Sequence, residues 1–172
     1  MGQVRLYIAV SIDGYIAAAD GGVDWLAPYP AEQFGFDAFI ATIGTVVMGR
    51  KTHDQARSFD TWPYAGKRTI VLTTRPLEPP HADVETWSGE IGPLCDALGK
   101  SRGDVWLVGG SSVTRAFLDA RRIDRLELYV IPILLGSGIR LFAESPVLQQ
   151  ARLADATMLA QGVVRLTYDL WR

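Results

Sequence analysis

Three segments of the sequence share one pattern, a short apolar stretch that passes directly into small, hydroxyl or basic residues. These are segments 46–52, 69–75 and 105–112. In open α/β sheets, ligands bind just beyond the carboxyl ends of the strands. Three strands that end in this way predict a sheet edge rich in phosphate-binding groups. A nucleotide cofactor is the ligand that suits such an edge.

The composition is that of one compact globular domain. The 172 residues, with 48% apolar and 21% charged residues, lie near the averages of single-domain proteins, so we expect one domain over residues 1–172. The 17 basic and 19 acidic residues are interspersed, which argues against a nucleic-acid partner. No apolar run approaches the roughly 20 residues of a membrane span, and no signal peptide precedes the first strand. We therefore expect a cytoplasmic protein without a membrane partner.

Metal and nucleophile chemistry have little support in the sequence. The lone Cys95 cannot form an internal disulfide, and no histidine or cysteine lies near it at metal-ligand spacing. Neither His53 nor His81 has a partner visible in the sequence, so both are predicted to be structural or exposed. Ser111 lacks the Gly-x-Ser-x-Gly elbow of a serine hydrolase. We expect no metal site.

The order of the predicted elements indicates an α/β fold. A strand at 4–10 and a loop to about residue 30 come first, and strands then alternate with helices. The later predicted elements are a helix over 31–42, strands at 45–48, 69–72, 83–87 and 104–108, a helix over 90–100 and another after the Gly109-Gly110 pair, a strand at 126–133, and strands at 151–159 and 162–171. This alternation predicts a mostly parallel central sheet with helices on both faces, followed by a C-terminal antiparallel hairpin.

Several motifs, taken in their order, resemble the dihydrofolate-reductase-like reductases. The resemblance is strongest to the branch that contains the reductase domain of riboflavin biosynthesis, and it covers residues 4–142. The motifs are AVSIDGYIA at 9–17, DWL at 24–26, MGRKT at 48–52, VGGS at 108–111 and PILLGSG at 132–138. The resemblance implies the three-layer fold of that family, with NADPH lying across the sheet edge.

The glycine pair and the helix after it suit a pyrophosphate. Gly109 and Gly110 would let the backbone approach the anion, and a helix starting near Ser111 would direct its amide groups toward it. We expect Ser111 or Ser112 to cap that helix. In the family that the chain resembles, a cis peptide joins the two glycines.

Further cofactor residues follow from the resemblance. Arg50, Lys51 and Thr52 match groups that hold the cofactor phosphates, and segment 73–75 matches the residues that flank the adenosine ribose. Two guanidinium groups, from Arg50 and Arg75, would bind a 2′-phosphate that NADH lacks, which favours NADPH. The complete predicted set is Ala9, Ile16, Ala17, Gly49, Arg50, Lys51, Thr52, Leu72, Thr73, Thr74, Arg75, Val108, Gly109, Gly110, Ser111, Ser112 and Val113.

The predicted acceptor site involves Trp25, Gln33 and Asp37. Folate-reducing members carry a carboxylate on the helix before the second strand, and counting back from Met48 places Gln33 there. Glu32 matches only if the alignment shifts by one residue. Asp37 follows Gln33 by four residues, so a continuous helix would place both on one face. We predict Asp37 as the catalytic carboxylate, with Trp25 as an aromatic wall for a flat heterocycle.

These observations predict an NADPH-dependent reductase that transfers a hydride to a small planar heterocycle of the pteridine or ribosylaminopyrimidine type. The alternative is a non-catalytic protein that retains the dinucleotide site and binds or sequesters a small molecule. The riboflavin enzyme usually carries a zinc deaminase domain that this sequence lacks, which favours a separate reductase. The apolar 126–135 region predicts a homodimer, unless the protein's own helices cover that strand.

Overall fold

The computed structural model describes residues 2–78, 84–99 and 102–171. His81, Pro79 and Pro80, for which the sequence predicts a loop, lie outside these residues. The elements in chain order are β1 (Val4–Ser11), β2 (Tyr15–Ala17), 3-10 helices at Asp24–Leu26 and Ala31–Phe34, α1 (Phe36–Thr42), β3 (Ile43–Gly49), α2 (Arg50–Ala56), β4 (Arg68–Leu72), β5 (Val84–Trp87), α3 (Ile91–Leu98), β6 (Asp104–Gly109), α4 (Ser111–Asp119), β7 (Arg125–Ile131), β8 (Ile139–Arg140), β9 (Ala151–Met158), a 3-10 helix at Ala160–Gly162 and β10 (Val164–Leu170).

The main sheet has eight strands in the order β5-β4-β3-β6-β1-β7-β10-β9. The first six strands in this order, β5, β4, β3, β6, β1 and β7, pair in parallel. Strand β10 is antiparallel to both of its neighbours, β7 and β9. The predicted mostly parallel sheet and the C-terminal antiparallel hairpin are both confirmed. The carboxyl ends of β1, β3, β4 and β6 therefore meet at one edge of the sheet.

Helices cover both faces of the sheet and form two apolar cores. On one face, α3 and α4 pack against the alternate side chains of the central strands, with Leu94 and Phe117 buried among them. On the other face, Phe39 of α1 and Ala56 of α2 join an aromatic core with Tyr7 and Trp106. This three-layer arrangement is the one that the alternation of elements predicts, because parallel strands have to be covered on both faces.

The helix predicted over 31–42 is interrupted. Gly35 has a φ of 64°, and this left-handed residue separates the 3-10 helix Ala31–Phe34 from α1. Gln33 and Asp37 therefore do not lie one turn apart on one continuous helix, so the prediction of a shared helical face is wrong. The glycine supplies the physical reason, since it ends the first helical turn and reorients the chain before α1.

Two further predictions of local structure are wrong. The predicted loop after β1 contains strand β2, which pairs with β8 in a separate two-stranded antiparallel sheet. Strands of three and two residues are too short to give a pattern in the sequence. At α4 the N-cap is Gly110, and in the described chain neither Ser111 nor Ser112 caps the helix, since that end has no side-chain cap.

The strand predicted over 126–133 is β7, Arg125–Ile131, and it lies inside the sheet between β1 and β10. A second subunit therefore cannot pair with the backbone of this strand. Tyr129 and Ile131 are buried under the aromatic core, whereas Leu128 and Val130 on the opposite face are half-buried. The region is thus covered fully on one face and partly on the other.

Among the described residues, no helix has the length and apolar character needed to cross a membrane. Within the same residues, no group of three or more His, Cys, Asp or Glu side chains is arranged to hold a metal ion.

Candidate functional site

The strand ends predicted to bind phosphate lie side by side at one sheet edge. Leu72, the last residue of β4, pairs with Gly49 of β3 on one side and with Trp87 of β5 on the other. Met48 of β3 pairs with Gly109 of β6. Because these register partners lie at or within one residue of the ends of their strands, the turns that follow them are adjacent in space.

Two of these turns are in close contact at their glycines. The Gly109-Gly110 peptide is cis, as the resemblance implies. A Cβ atom added to Gly110 would lie 3.8 Å from Oγ1 of Thr52, and one added to Gly49 would lie 3.3 Å from Cγ2 of Val113. The two glycines therefore allow the starts of α2 and α4 to lie close together, with Gly49 beside Val113 and Gly110 beside Thr52.

This glycine junction suits an anion. The first N–H groups of a helix have no partner within the helix, and α4 has no side-chain cap at its N-terminus in the described chain. Backbone N–H groups and the helix dipole both favour negative charge at such a position. Thr52 is half-buried beside the junction, and Ser111 is half-buried at the start of α4.

An open cleft of about 370 Å³ lies next to this junction, beyond β4 and β5. It contains two guanidinium-bearing residues, four residues after β4 and β5 with small or hydroxyl side chains, and two apolar residues. Its lining residues are Arg50, Leu72, Thr73, Thr74, Arg75, Trp87, Ser88 and Gly89. The structure thus brings Arg50 together with all four predicted residues from the end of β4.

Arg50 is held over this cleft by the main chain of the loop after β4. Its Nη1 donates to the carbonyl of Pro76 at 2.6 Å and to that of Arg75 at 3.3 Å. Its Nε lies 3.5 Å from Oδ2 of Asp54, one turn further along α2. These contacts fix Nη1 and Nε of the Arg50 guanidinium. The side chain of Arg75 is exposed at the mouth of the cleft.

Thr73 fixes the turn that carries Arg75. The Thr73 hydroxyl accepts from the amide of Arg75 at 3.2 Å and donates to the carbonyl of the same residue at 3.0 Å. The amide of Thr73 donates to the carbonyl of Trp87 at 2.9 Å, which joins the turn to the end of β5. The conformation of the cleft is therefore set by both strands.

The loop after β1 is fastened to the 132–138 segment by Asp13. The Ser11 hydroxyl lies 2.6 Å from the Asp13 carboxylate, and the amides of Leu135 and Gly136 donate to it at 3.1 and 2.7 Å. The Ser11 hydrogen bond and these amides hold the pKa of Asp13 below its ordinary value. Strand β2, with half-buried Ile16 and buried Ala17, is thereby held against this segment.

On the face covered by α1, two tyrosines share one acceptor. The hydroxyls of Tyr7 and Tyr129 donate to the carbonyl of Phe34 at 2.6 and 2.7 Å. Burial, followed by the hydrogen bond with Tyr129, raises the pKa of Tyr7 well above its usual range. Both hydroxyls donate to this one carbonyl and thereby fix the 3-10 helix containing Gln33.

The predicted acceptor residues differ in their surroundings. Trp25 and Gln33 are half-buried, and the indole Nε1 and both amide atoms of Gln33 are buried without a hydrogen-bond partner in the described part of the chain. Asp37 is exposed in the first turn of α1. Gln33 thus presents a buried, unpaired carboxamide, whereas Asp37 presents a solvated carboxylate.

The remaining predicted cofactor residues line the edge in different ways. Lys51 and Ser112 are exposed at the starts of α2 and α4, whereas Val113 is buried and packs toward Gly49. Ala9 and Val108 are half-buried at the ends of β1 and β6. Sequence reasoning missed Trp87, Ser88 and Gly89, although the order of a strand followed by Trp-Ser-Gly was a usable signal.

The chain is similar in sequence and in overall fold to several known proteins. The family description of the RibD C-terminal domain matches residues 3–165. YwjB of Bacillus subtilis, an uncharacterised protein, is 34% identical over 161 residues, which are 92% of each chain. A solved structure from Shewanella sp. PV-4, assigned to riboflavin biosynthesis, superposes with a TM-score of 0.87 at 30% identity over 99% of both chains.

A dihydrofolate reductase of Enterococcus faecalis, solved with NADP(H), has a TM-score of 0.69 at 21% identity and covers 99% of this chain and 97% of its own. At this identity the likeness concerns the fold, and it confirms the predicted dihydrofolate-reductase-like architecture. The family match covers residues 3–165, nearly the whole length of the chain. The chain therefore belongs to the RibD C-terminal domain family.

Proposed function

We propose that the protein is an NADPH-dependent reductase that transfers a hydride to a small planar heterocycle of the pteridine or ribosylaminopyrimidine type. The observation that carries this proposal is the combination of the glycine junction and the two-arginine cleft at one sheet edge. The family to which the chain belongs includes reductase domains of riboflavin biosynthesis, and the fold is shared with a dihydrofolate reductase solved with NADP(H).

Two neighbouring groups of residues would bind the two phosphate-containing parts of the dinucleotide. The amides around Gly110 and the hydroxyls of Thr52 and Ser111 would bind the pyrophosphate, because these groups lie together at the start of α4, which has no side-chain cap in the described chain. Arg50 and Arg75 would bind the 2′-phosphate in the adjoining cleft by charge-assisted hydrogen bonds. NADH cannot use the second interaction, so we propose a preference for NADPH.

The remaining predicted cofactor residues would surround the nicotinamide end. Ile16 and Ala17 lie on β2, whose position is fixed by Asp13, and Ala9 lies near the carboxyl end of β1. When bound, the nicotinamide supplies a hydride to an acceptor held against it. The residues of β1 and β2 would contribute by holding the two rings in contact and by excluding water.

The acceptor would lie on the face that carries Trp25 and Gln33. The flat indole suits stacking against a heterocycle, and the Gln33 carboxamide can both donate and accept a hydrogen bond. A neutral amide there offers no charged anchor to a protonated pterin, in contrast to the carboxylate of folate-reducing members. Asp37, in the first turn of α1, is the proposed proton donor, with water as the alternative source.

A second function is a protein that binds the dinucleotide or sequesters a small molecule without turnover. Two observations favour it: position 33 carries an amide and not a carboxylate, and the carboxylate of Asp37 is exposed. Such a protein would retain the phosphate-binding edge while lacking a positioned acid.

Binding and turnover measurements separate these functions. Titration with NADPH and NADH, followed by nicotinamide fluorescence, should show tight NADPH binding that an Arg50→Ala, Arg75→Ala double variant weakens markedly. Consumption of bound NADPH with any of a panel of pteridine and pyrimidine acceptors then supports the reductase. Binding without consumption across the panel supports the non-catalytic protein, and absence of binding of either dinucleotide contradicts both.

We also propose a homodimer, formed through the open face of β7 and its neighbours and not through a strand edge. Half-buried Val130 pairs with Val164 of β10, which pairs with Met158 of β9, and Leu126 connects in the same way through Tyr168 to Leu153. Leu153 and Met158 are 52% and 86% exposed. A second copy covering this apolar face would remove it from water. A light-scattering mass equal to that of one chain at micromolar concentration would contradict this assignment.

A further inference from the structure

One backbone carbonyl on the face of the sheet that carries α1 has two side-chain donors. The hydroxyls of Tyr7 and Tyr129 lie 2.6 and 2.7 Å from the carbonyl oxygen of Phe34, and the centroids of the two tyrosine rings are 4.8 Å apart. What native proteins avoid is a buried polar group without any partner, and one hydrogen bond is enough to pair a carbonyl. One of the two hydroxyls can therefore turn to a ligand without leaving this carbonyl unpaired.

The hydroxyl of Tyr129 is the one that belongs to the nicotinamide end of the proposed site. Tyr129 is the register partner of Ala9 on the neighbouring strand β1, and both side chains pack in the aromatic core on the α1 face. Neighbouring strands lie about 4.8 Å apart, so the two residues are in direct proximity. Tyr7 lies two residues before Ala9 on β1, further from the carboxyl ends of the strands.

A guanidinium hydrogen-bonds the side chain of Tyr129. Arg165 of β10 is the register partner of Tyr129 and donates to it. Nη2 of Arg165 is itself held 3.0 Å from Oδ2 of Asp155 and 3.2 Å from the hydroxyl of Thr157. A hydroxyl whose oxygen accepts from a cation is polarised and becomes a stronger donor. By contrast, burial raises the pKa of Tyr7 well above its usual range, which suits Tyr7 to permanent pairing with the carbonyl.

Unpaired polar atoms beside Phe34 indicate where a ligand would lie. Within the part of the chain that the structure describes, Oε1 and Nε2 of Gln33 and Nε1 of Trp25 are buried without a hydrogen-bond partner. Such atoms call for a water or a ligand. Gln33 directly precedes Phe34, whose ring lies edge-on to that of Tyr129 with the centroids 5.2 Å apart. A heterocycle bound to Gln33 and Trp25 would therefore lie beside the Tyr129 hydroxyl.

We propose that Tyr129 is a catalytic residue, whose hydroxyl turns from the Phe34 carbonyl to the nitrogen or oxygen atom of the bond that is reduced. Reduction of a C=N or C=O bond joins the hydride to carbon, oxidises NADPH to NADP+ and places the π electron pair on that nitrogen or oxygen. The Tyr129 hydrogen bond stabilises the negative charge that develops there, until the atom takes a proton from Asp37 or water. Tyr7 meanwhile keeps the Phe34 carbonyl paired. This inference rests on the proposed function, since it adds a residue to the same reaction.

Deleting each hydroxyl in turn separates catalysis from support of the backbone. Tyr129→Phe should lower kcat about a hundredfold, the effect of removing one donor to a developing negative charge, and should change KM for the acceptor much less. Tyr7→Phe should lower kcat only about threefold to fivefold, because the Phe34 carbonyl then loses its remaining donor when Tyr129 turns away. Tyr168→Phe, on the opposite face of the sheet, is the control and should leave kcat unchanged.

A misfolded protein would not give this pattern. Tyr129→Phe and Tyr7→Phe each remove one of two hydrogen bonds to the same carbonyl, so their free energies of unfolding should fall by similar amounts. A much larger loss of kcat in Tyr129→Phe alone therefore reports on the reaction. Turnover is measured with the pteridine or pyrimidine acceptor that the panel identifies.

A measurement without turnover tests the hydrogen bond itself. Lumazine, a planar pteridine with ring C=O and C=N groups, is bound to protein saturated with NADP+, which cannot reduce it. Infrared difference spectra then report on the bonds of the bound ring. At least one C=O or C=N stretching band should move to higher frequency in Tyr129→Phe, because the ring loses a hydrogen bond, and no band should move in Tyr168→Phe.

The outcomes distinguish this inference from the proposed function. Equal losses of kcat in Tyr129→Phe and Tyr7→Phe, an unchanged kcat in Tyr129→Phe, or lumazine bands that do not move in this variant would each overturn the catalytic role of Tyr129. Consumption of NADPH by the unsubstituted protein would still support the proposed reductase in each of these cases. If the unsubstituted protein consumes no NADPH with any acceptor, the proposed function itself is overturned.

Discussion

Replacing Gly138 with alanine tests how closely the 132–138 segment approaches the cofactor edge. Gly138 has a φ of 143°, and a Cβ atom added there would lie 2.2 Å from the carbonyl oxygen of Ala17. Real Cβ atoms essentially never approach within 3.0 Å, so the two backbones must move apart by roughly 1 Å. Because β2 and β8 pair over very few residues, the least costly response is to open this small sheet.

The expected cost has two parts. Positive-φ strain contributes about 1 to 2 kcal/mol, and overpacking against fixed backbone adds about 1 to 3 kcal/mol. We therefore expect Gly138→Ala to lower the free energy of unfolding by about 2 to 5 kcal/mol. Displacement of Ala17 should also weaken NADPH binding by about tenfold, since one lost hydrogen-bond-sized interaction has this effect.

Gly136→Ala is the matched control. Gly136 has a φ of 73°, yet nothing lies within 4 Å of its added Cβ. This variant should cost only about 1 kcal/mol and leave NADPH affinity nearly unchanged. Urea denaturation and NADPH fluorescence titration of both variants provide the comparison. If the two variants are indistinguishable in stability and in NADPH affinity, the close approach of Gly138 to Ala17 has no role in the site.

Three further predictions concern charged residues of the site, and one of them has a matched control variant. The pKa of Asp13 is lowered below its ordinary value of 3.8, so the stabilisation from its ionised carboxylate is present above pH 3.8 and is lost as the pH falls through the lowered pKa. Asp13→Asn should therefore reduce the free energy of unfolding at pH 7 and make its decline in acid less steep. A decline in acid as steep as that of the unsubstituted protein would contradict this. Arg75→Ala should weaken the binding of NADPH about tenfold without changing the binding of NADH. The control Arg68→Ala, at the opposite end of β4 and paired with Glu85, should alter neither affinity. Equal losses of affinity for both dinucleotides in Arg75→Ala would place the 2′-phosphate elsewhere. Asp37→Asn should lower kcat by roughly a hundredfold at unchanged KM for NADPH, and an unchanged kcat would assign the proton to water.

The fold was predictable because its main elements follow simple patterns. Apolar segments such as 46–48 and 105–108 are buried on both faces, and each is followed by glycine and a helix. A β-branched, apolar run bounded by turn residues predicts a parallel strand from local information. The convergence of Gly49, Gly110 and Leu72 then follows from parallel pairing alone.

The acceptor site was less predictable because it depends on backbone geometry and long-range contacts. Gly35 could have been read as an ordinary helix residue, and only its left-handed conformation separates Gln33 from Asp37. Tyr129 of β7 reaches the Phe34 carbonyl before α1 through a hydrogen bond across 95 positions, which no local pattern records. Trp87 enters the cleft in the same way, through the pairing of β5 with β4.

The central claim is that the edge formed by β3, β4 and β6 binds NADPH. A crystal structure of the protein grown with saturating NADPH tests it most directly. We expect the pyrophosphate at the junction of Gly49 and Gly110, and the 2′-phosphate between Arg50 and Arg75. NADPH bound at any other surface, or no bound dinucleotide at saturating concentration, would contradict it.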